Sequence, residues 1–297
     1  MEKEIIEKYK RAGSIAAGIR EDALKKLKPG MKIIELAEFI EREIEKRGGK
    51  PAFPVNISIN DITAHDTPKL NDTREIKDGD LVKIDVGVHV DGYIGDMAFT
   101  YCSDDNPMVK ANEQVLDEVI KILKPGVTLA EIGNTIEETT KELGFGLITN
   151  LTGHTLDKYV FHGPPSILNT KNNSTHSFKE GDVIALEPFL TETNSHVKES
   201  GVVEIYRYLQ DRPVRLPEAR QIIIMARDDF SKLPFAKRWL YSKISPIRVA
   251  LSLRQLEDAM AIETFPVLKN MNGKPVSQAE HTIIIAPKGE KPIVTTK

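Results

Sequence analysis

LVKIDVGVHVDGYIGDMAFT, residues 81–100, has the pattern of two apolar β-strands joined by a tight Asp-Gly turn. Each strand carries an aspartate, Asp85 and Asp96, at a position where a core strand favours valine or isoleucine. With the Asp-Gly pair as a two-residue loop, Asp96 lies opposite Gly87. Because side chains alternate along a strand, Asp85 and Asp96 become diagonal neighbours on one face. A one-residue shift of the turn makes them direct partners, so either register brings the two carboxylates together.

Carboxylates recur in β-rich stretches elsewhere in the chain, with Glu187 in VIALEPF and Glu280 before HTIIIA. A solvated strand face explains one such residue but not the same pattern in several strands. A buried unpaired carboxylate costs several kcal/mol, and neighbouring carboxylates repel each other. Multivalent cations offset both penalties. We therefore predict a metal site, of the kind in which two ions about 3.5–4 Å apart activate water for hydrolysis.

Two pairs of segments about one hundred residues apart resemble each other. KPGMKIIELAEFIEREIEKRGG, from Lys28, matches KPGVTLAEIGNTIEETTKELGF, from Lys124, and both have apolar residues at helical spacing. IKDGDLVKIDVG, residues 76–87, matches FKEGDVIALEPF, residues 178–189, and each combines a Gly-Asp turn with a β-rich run. The sequence therefore predicts a duplicated unit that contains a helix and a hairpin.

The second pair of segments aligns Asp85 with Glu187, and a further match aligns HDTPKLN, from His65, with HGPPSILN, from His162. A period of about one hundred residues is too long for a solenoid and fits a duplicated half-domain. Two such halves would pack about a pseudo-twofold axis, with their strands in one curved sheet and their helices on one face. We therefore predict an α+β fold.

Residues 193–272 interrupt the repeat with mostly amphipathic helical segments and prolines, and strand character returns in QAEHTIIIAP. We predict a catalytic domain of residues 1–192 and 273–297 with a helical insertion subdomain at 193–272. The two halves of the catalytic domain would be about 1–104, and 105–192 plus 273–297.

The composition argues against several classes of protein. The chain has 41 basic and 44 acidic residues and a net charge of −3, without the basic surface that nucleic acid or an anionic membrane would need. A lone cysteine, Cys102, cannot form an internal disulfide and fits a reducing compartment. No signal peptide and no apolar run of about 18 residues are present. We expect a soluble cytoplasmic protein.

The seven histidines fall into two groups by their surroundings. We expect His89 to be exposed near the hairpin turn, and His176 and His196 to be solvated in polar loops. His281 adjoins Glu280 and should point to the opposite face, in a packing or hydrogen-bonding role. The remaining histidines are candidate site residues: His65, His154 and His162.

An ordered set of residues resembles the five metal ligands of the pita-bread metallopeptidases, in the spacing of the methionine aminopeptidases. The set is Asp85, Asp96, His154, Glu187 and Glu280. The flanking stretches AFPVNISINDITAHDTP, GHTLDKYVFHGPP, ALEPF and QAEHTIII extend the likeness to essentially the whole chain. The insertion, which contains LPFAKRWL, is similar to that of the type II enzymes, and the absence of an N-terminal extension resembles their archaeal form. The resemblance implies a pita-bread fold.

The resemblance also implies a site for two divalent metal ions. Asp85 would bind one ion, and His154 and Glu187 would bind the other. Asp96 and Glu280 would bridge the pair. Four carboxylates and one imidazole form an oxygen-rich set that suits Mn, Fe or Co, and zinc is an alternative. Glu187 would shuttle the proton of the attacking water.

The remaining catalytic and substrate-binding residues are also implied by the resemblance. His65 and His162 would act as catalytic residues that hydrogen-bond the scissile amide and the developing oxyanion. Phe53, Pro54 and Asn56 would line a methionine pocket together with the two histidines. Cleavage would require a small second residue. The implied substrate is the N-terminal methionine of nascent polypeptides.

The sequence leaves two rival functions open. Prolidase and aminopeptidase P share the five ligands and the fold, but they usually carry an additional N-terminal domain. A non-catalytic pita-bread protein that binds ribosomes or nucleic acid typically lacks some ligands, whereas all five are present here. Ribosome association of the enzyme itself also remains open. We expect a monomer, because no long heptad repeat or exposed apolar strand is evident.

Overall fold

The computed structural model describes residues 1–297. Its seven α-helices are α1 Lys3–Lys26, α2 Ile33–Lys46, α3 Pro107–Ile122, α4 Leu129–Glu142, α5 Pro217–Ile224, α6 Lys237–Leu240 and α7 Pro246–Asp258. Its strands are β1 Lys50–Pro51, β2 Asn56–Ile59, β3 Ile62–Ala64, β4 Val82–Val90, β5 Tyr93–Tyr101, β6 Gly146–Leu147, β7 Thr152–Asp157, β8 Val160–Leu168, β9 Val183–Leu186, β10 Phe189–Thr191, β11 Val197–Tyr208, β12 Phe235–Ala236, β13 Ile262–Asn270, β14 Ser277–Gln278, β15 His281–Ile284 and β16 Ile293–Val294. None of the helices has both the length and the apolar character needed to cross a bilayer.

The two segments with helical spacing form α2 and α4. On α2, the residues that repeat at this spacing are all completely buried: Ile33, Leu36, Ile40 and Ile44. Helix α4 begins with a capping box, in which the Thr128 hydroxyl accepts from the Glu131 N–H over 3.1 Å. The Glu131 carboxylate accepts in return from the Thr128 N–H over 2.8 Å. Such a cap contributes about 1 kcal/mol to helix stability.

The matched segments make the same backbone contacts. The Gly30 N–H donates to the Ile76 carbonyl over 2.8 Å, and the equivalent Gly126 N–H donates to the Phe178 carbonyl over 2.8 Å. Both glycines have a positive φ, 83° and 94°, which a residue with a β-carbon rarely adopts. The Lys-Pro-Gly sequence before each helix is therefore a turn. Its hydrogen bond holds the start of the helix beside the segment that leads into a strand of the same half.

The hairpin formed by β4 and β5 has the predicted register. Asp91 and Gly92 form the two-residue loop with φ values of 53° and 91°, as the primed hairpin turns require. Gly87 is paired with Asp96, so Asp85 lies diagonally from Asp96 on the same face. The local turn alone is sufficient to bring the two carboxylates together.

Strands from the two halves join into one curled, antiparallel arrangement. Strand β4 pairs with β1, β2 and β5, and a second sheet has the order β16-β15-β9-β7-β8. The seam between them lies along β5 and β15, where the Glu280 N–H donates to the Ala98 carbonyl over 2.9 Å. Next to it, the Thr282 hydroxyl donates to the Asp96 carbonyl over 2.9 Å. Two of the predicted ligands thus lie at the seam.

The helices pack on one face of this arrangement in two similar layers. Helices α1 and α2 cover β4 and β5, and the buried residues between them include Ile19, Ile40, Val86 and Met97. Helices α3 and α4 cover β9 and β15 through Val115, Ile132, Ile184 and Ile283, among others. Burial of each such side chain contributes about 1.5–3 kcal/mol. The opposite, concave face carries the predicted ligands.

The segment predicted as a helical insertion differs from the expectation at both ends. Helices α5 to α7 lie within residues 217–258, but β11 and β13 on either side form a long antiparallel pair, and β13 also pairs with β3. Irregularities in the register of β11, near Val203, interrupt the alternation of side chains. This interruption explains why the sequence pattern does not identify the strand. The segment has its own core, which includes Ile222, Phe235 and Leu253.

The prediction for His89 is wrong, whereas those for three other histidines are confirmed. His89 is only 6% exposed, because the ring of Tyr159, from the turn between β7 and β8, packs against it at 5.6 Å between centroids. His176 and His196 are exposed as expected. His281 forms a hydrogen bond between its Nδ1 and the Thr296 hydroxyl, 2.9 Å long.

Candidate metal centre and substrate pocket

Five strands of the concave face contribute the predicted ligands to one cavity. Two ligands come from the hairpin, one from β7, and two from the ends of β9 and β15. The side chains that line this cavity together are Asp85, Asp96, His154, Glu187 and Glu280. Ligands about one hundred residues apart in sequence meet here because the two halves share a seam.

The ligand atoms lie within the distances expected around a cation. The His154 Nε2 is 3.5 Å from the Glu187 Oε1, 3.7 Å from the Asp96 Oδ2 and 3.9 Å from the Glu280 Oε1. One ligand atom from each of Asp96, His154 and Glu280 lies within 4.8 Å of the others. The group could therefore hold a metal ion.

Electrostatics also favour a cation at this place. Burial raises the pKa of Asp85 to about 7. Burial likewise raises the pKa values of Asp96, Glu187 and Glu280 well above the ordinary range, and the neighbouring carboxylates add to this effect. The Asp85 Oδ1 and the Asp96 Oδ1 are buried without any hydrogen-bond partner in the protein. Divalent cations would satisfy these atoms and offset the repulsion, so the donor set fits the metals that the sequence predicts.

The imidazole of His154 is in the state that a ligand needs. Burial lowers its pKa to about 4, so the ring is neutral at physiological pH. Its Nδ1 lies 3.4 Å from the Thr155 carbonyl, which leaves the Nε2 directed at the carboxylates. A neutral imidazole whose second nitrogen is held by a carbonyl is the usual form of a metal-binding histidine.

Sequence reasoning missed Gln278, which contacts two of the predicted ligands. Its Nε2 donates to the Glu187 Oε2 over 3.3 Å and lies 3.5 Å from the Asp85 Oδ2. Gln278 is 2% exposed. The signal was its position two residues before Glu280, since alternate residues of an extended segment point to the same side. Gln278 orients the two carboxylates from opposite halves.

A pocket of about 190 Å³ adjoins the carboxylates. Phe53 and Asn56, which the sequence predicts as pocket residues, line it together with His65 and His162. Pro54 is buried but is not part of the lining. Its carbonyl instead accepts from the Asn56 Nδ2 over 2.8 Å and so orients that amide.

Much of the pocket wall was not predicted from the sequence. The additional apolar residues include Phe161, Phe189, Ile205, Pro234 and Phe265. Three of them belong to the segment predicted as the insertion, which therefore forms part of the pocket. No local pattern could have identified these three residues, because the pairing of β12, β11, β13 and β3 brings them to the pocket.

His65 occupies an unusual backbone conformation at the pocket wall. Its φ is 61°, in the left-handed region that is costly for a residue with a β-carbon. Its Nδ1 lies 3.3 Å from the Pro266 carbonyl, and its ring meets the ring of Phe265 edge to face. Burial lowers the pKa of His65 to about 4. A neutral ring with Nδ1–H donating to the carbonyl leaves the Nε2 as an acceptor.

His162 lies close to the ligands on the other side of the cavity. Its ring centroid is 4.4 Å from that of His154 and 4.1 Å from that of Phe161, on which it stacks. Burial holds the pKa of His162 well below its ordinary value, and His154 adds to the effect. The two histidines related by the sequence repeat therefore line the same cavity, and both are neutral.

Comparison with known proteins assigns the family. The sequence model of metallopeptidase family M24 matches residues 7–210. The chain belongs to metallopeptidase family M24. This M24 chain is 43% identical to the methionine aminopeptidase of Methanocaldococcus jannaschii, with 100% of each chain covered. It is 44% identical to the methionine aminopeptidase of Archaeoglobus fulgidus, again with 100% of each chain covered.

Solved structures resemble the M24 chain in fold. A structure of a thermophilic Arx1 superposes with a TM-score of 0.86 at 18% identity and covers 99% of this chain and 91% of that one. The methionine aminopeptidase from Rickettsia prowazekii has a TM-score of 0.73 at 21% identity, with 100% and 98% covered. These likenesses confirm the predicted pita-bread fold, with its curled antiparallel sheet.

Proposed function

We propose that this M24 peptidase is a methionine aminopeptidase, which removes the initiator methionine from nascent proteins and peptides when the second residue is small. The observation that carries the proposal is the full-length identity of 43–44% to archaeal methionine aminopeptidases. The cavity agrees with such a substrate, since an aromatic pocket of about 190 Å³ suits an unbranched thioether side chain.

We propose that the cavity holds two divalent metal ions, Co, Mn, Fe or Zn. Asp85 would hold one ion, and His154 and Glu187 would hold the other. Asp96 and Glu280 would supply further carboxylate ligands to the ions. When bound, the ions supply positive charge that makes a water molecule acidic and polarises the scissile carbonyl. The protein's own contribution is to orient these ligands and to keep the bound peptide away from bulk water.

Glu187 is the proposed general base. Its side chain is 13% exposed and so more open than those of Asp96, at 3%, and Glu280, at 2%. A base in this position accepts the proton of the attacking water and delivers it to the departing amine. The hydrogen bond from Gln278 to its Oε2 fixes the orientation of the carboxylate.

His65 and His162 have different proposed roles in the same step. With its Nδ1–H donating to the Pro266 carbonyl, His65 has only its Nε2 lone pair to offer, and this nitrogen can accept the scissile amide N–H. His162, on the other side, would donate to the oxyanion that develops on the carbonyl. Hydrogen bonds that strengthen only in the transition state raise kcat.

The proposed substrate has consequences for location and organisation. Nascent polypeptides carry their initiator methionine in the cytoplasm, so we propose that the enzyme acts there. The division into a catalytic domain of residues 1–192 and 273–297 and an insertion at 193–272 is part of the proposal. The monomeric state stays a prediction, and association with ribosomes stays an open alternative.

A panel of peptides tests the proposed function. Purified protein loaded with Mn, Fe or Co should release methionine from Met-Ala and Met-Gly peptides and spare Met-Lys and Met-Leu peptides. A chelated sample serves as the control and should be inactive. Cleavage of Xaa-Pro peptides alone would show that the substrate assignment is wrong, and inactivity with every metal and peptide would argue against catalysis.

A further inference from the structure

The segment that follows His65 is held from two sides. His65 itself has a φ of 61°, and a residue with a β-carbon keeps such a conformation only where its surroundings enforce it. On one side, the guanidinium of Arg74 donates to both oxygens of Asp66, over 2.6 and 3.0 Å. The backbone carbonyl of Asp66 also accepts from the Ile57 N–H over 2.6 Å. These contacts all lie within the first half of the chain.

The second support comes from the segment predicted as the insertion. The Arg238 Nη1 donates to the Thr67 hydroxyl over 2.6 Å and to the Pro68 carbonyl over 3.2 Å. The other end of the guanidinium forms an ion pair with Glu41 on α2. Trp239 adds a hydrogen bond from its Nε1 to the same carboxylate over 3.0 Å.

Arg238 is unusual among the arginines of this segment because its side chain is only 6% exposed. Removal of a guanidinium from water is costly, so a buried one must satisfy its donors by fixed partners. Its planar fork reaches Thr67, Pro68 and Glu41 at once, which a lysine ammonium on a flexible stem cannot reproduce. The arrangement therefore has a definite geometry that a surface ion pair would lack.

Thr67 extends this contact to the substrate pocket. Its hydroxyl accepts from Arg238 and donates in turn to the Val55 carbonyl over 2.8 Å. Val55 lies between Phe53 and Asn56, the two residues of this stretch that line the pocket. A continuous set of hydrogen bonds thus runs from Arg238 through Thr67 to the pocket wall. His65 lies two residues before Thr67 in the chain.

We propose that Arg238 is a positioning residue, which acts through Thr67 to hold His65 in its left-handed conformation and so sets the turnover rate. By this proposal the insertion takes part in catalysis as well as in forming the pocket. The proposal rests on the proposed function, because it assumes that His65 contacts the scissile amide. A displacement of about 1 Å in such a group can cost on the order of 100-fold in rate.

Substitutions at Thr67 test the link without disturbing the ion pair of Arg238. Thr67→Val keeps the shape of the side chain but removes both hydrogen bonds, and Thr67→Ser keeps the hydroxyl. We expect Thr67→Val to lower kcat for a Met-Ala peptide about tenfold, with KM changed less than threefold. Thr67→Ser should restore most of kcat. Equal kcat values for the two variants would overturn the proposal.

Arg238→Met and Arg227→Met form a second, matched pair. Arg227 lies in the same segment, but its side chain is 36% exposed and pairs with Asp211 and Asp228. Arg238→Met should lower kcat at least as much as the loss of the Thr67 hydroxyl, and it should also lower the melting temperature because Glu41 loses its partner. Arg227→Met should match the wild-type protein. An unchanged kcat in Arg238→Met would also overturn the proposal.

A double-mutant cycle separates positioning from general structural support. If Thr67 acts through His65, Thr67→Val should have no further effect on kcat in a His65→Ala background. Effects that multiply in the double variant would overturn the proposal, as would a wild-type kcat in His65→Ala alone. The wild-type peptide panel reports separately on the proposed function, and the series uses whichever peptide class the wild-type protein cleaves.

Discussion

A methyl group at position 87 should disturb the substrate pocket. Gly87 lies on β4 opposite Asp96 and faces the cavity, where the ring of Phe53 covers it. A β-carbon at this position would be 2.3 Å from the Phe53 Cε1, 2.6 Å from its Cδ1 and 2.7 Å from its Cζ. Since carbon atoms in contact are about 3.5–4.0 Å apart, Gly87→Ala would force the ring to retreat by more than about 1 Å.

Phe53 has little room for this movement. It is 8% exposed, and its ring centroid lies 6.4 Å from that of Phe161, which lines the same pocket. Insertion of a methyl group into a packed site typically costs about 1–3 kcal/mol. If this cost falls on the bound state, kcat/KM for a Met-Ala peptide should decrease about 5- to 150-fold.

The assay is kcat/KM of Gly87→Ala for Met-Ala peptides, compared with Gly49→Ala as a matched control. The β-carbon of Gly49→Ala would approach the Val88 Cγ1 at 2.7 Å, on the helix-covered side of β4. Both variants overpack the core, but only Gly87→Ala should lose kcat/KM once activity is expressed per folded molecule. Wild-type kcat/KM in folded Gly87→Ala would refute the assignment of Phe53 to the methionine pocket.

Two further predictions concern the metal centre and the pH dependence of stability. Asp96→Asn, which removes a charge from a residue at the seam of the sheet, should abolish peptidase activity in a protein with wild-type circular dichroism; near-normal turnover would contradict a two-metal mechanism. Burial, together with Lys50, lowers the pKa of His89 to about 4 from an ordinary 6.5, so the unfolded chain takes up the proton first. His89 therefore costs the folded state stability as the pH falls from about 6.5 to about 4, by up to about 1.4 kcal/mol per pH unit. His89→Gln should show a smaller loss of unfolding free energy in urea titrations over this range, and an unchanged loss would mean that His89 is protonated in the folded protein.

Several features of the fold depend on local rules and were therefore predictable. The Asp-Gly turn determines the register of β4 and β5, and the period-two alternation then brings Asp85 and Asp96 to one face. The repeated Lys-Pro-Gly turns precede equivalent helices, and both turns depend on a local rule, the positive φ that glycine adopts at Gly30 and Gly126. Such patterns involve residues close together in sequence, whose conformations depend little on distant packing.

Other features depend on contacts between segments far apart in the chain. The burial of His89 by Tyr159, the aromatic pocket wall and the strand ends of the insertion could not be read from local patterns. Pro54 shows the same limit on a small scale, since the motif that contains it was recognisable but its absence from the pocket lining was not.

The sequence by itself determined the identity of the candidate ligands, the duplication and the hairpin that brings two of the carboxylates together. Only the tertiary structure decided how the ligands of the two halves meet at the seam between β5 and β15, and how Arg238 from the insertion reaches Thr67. The physical reason is that turn geometry and side-chain alternation act over a few residues. The distances within the site, in contrast, result from how helices, sheet and insertion pack together.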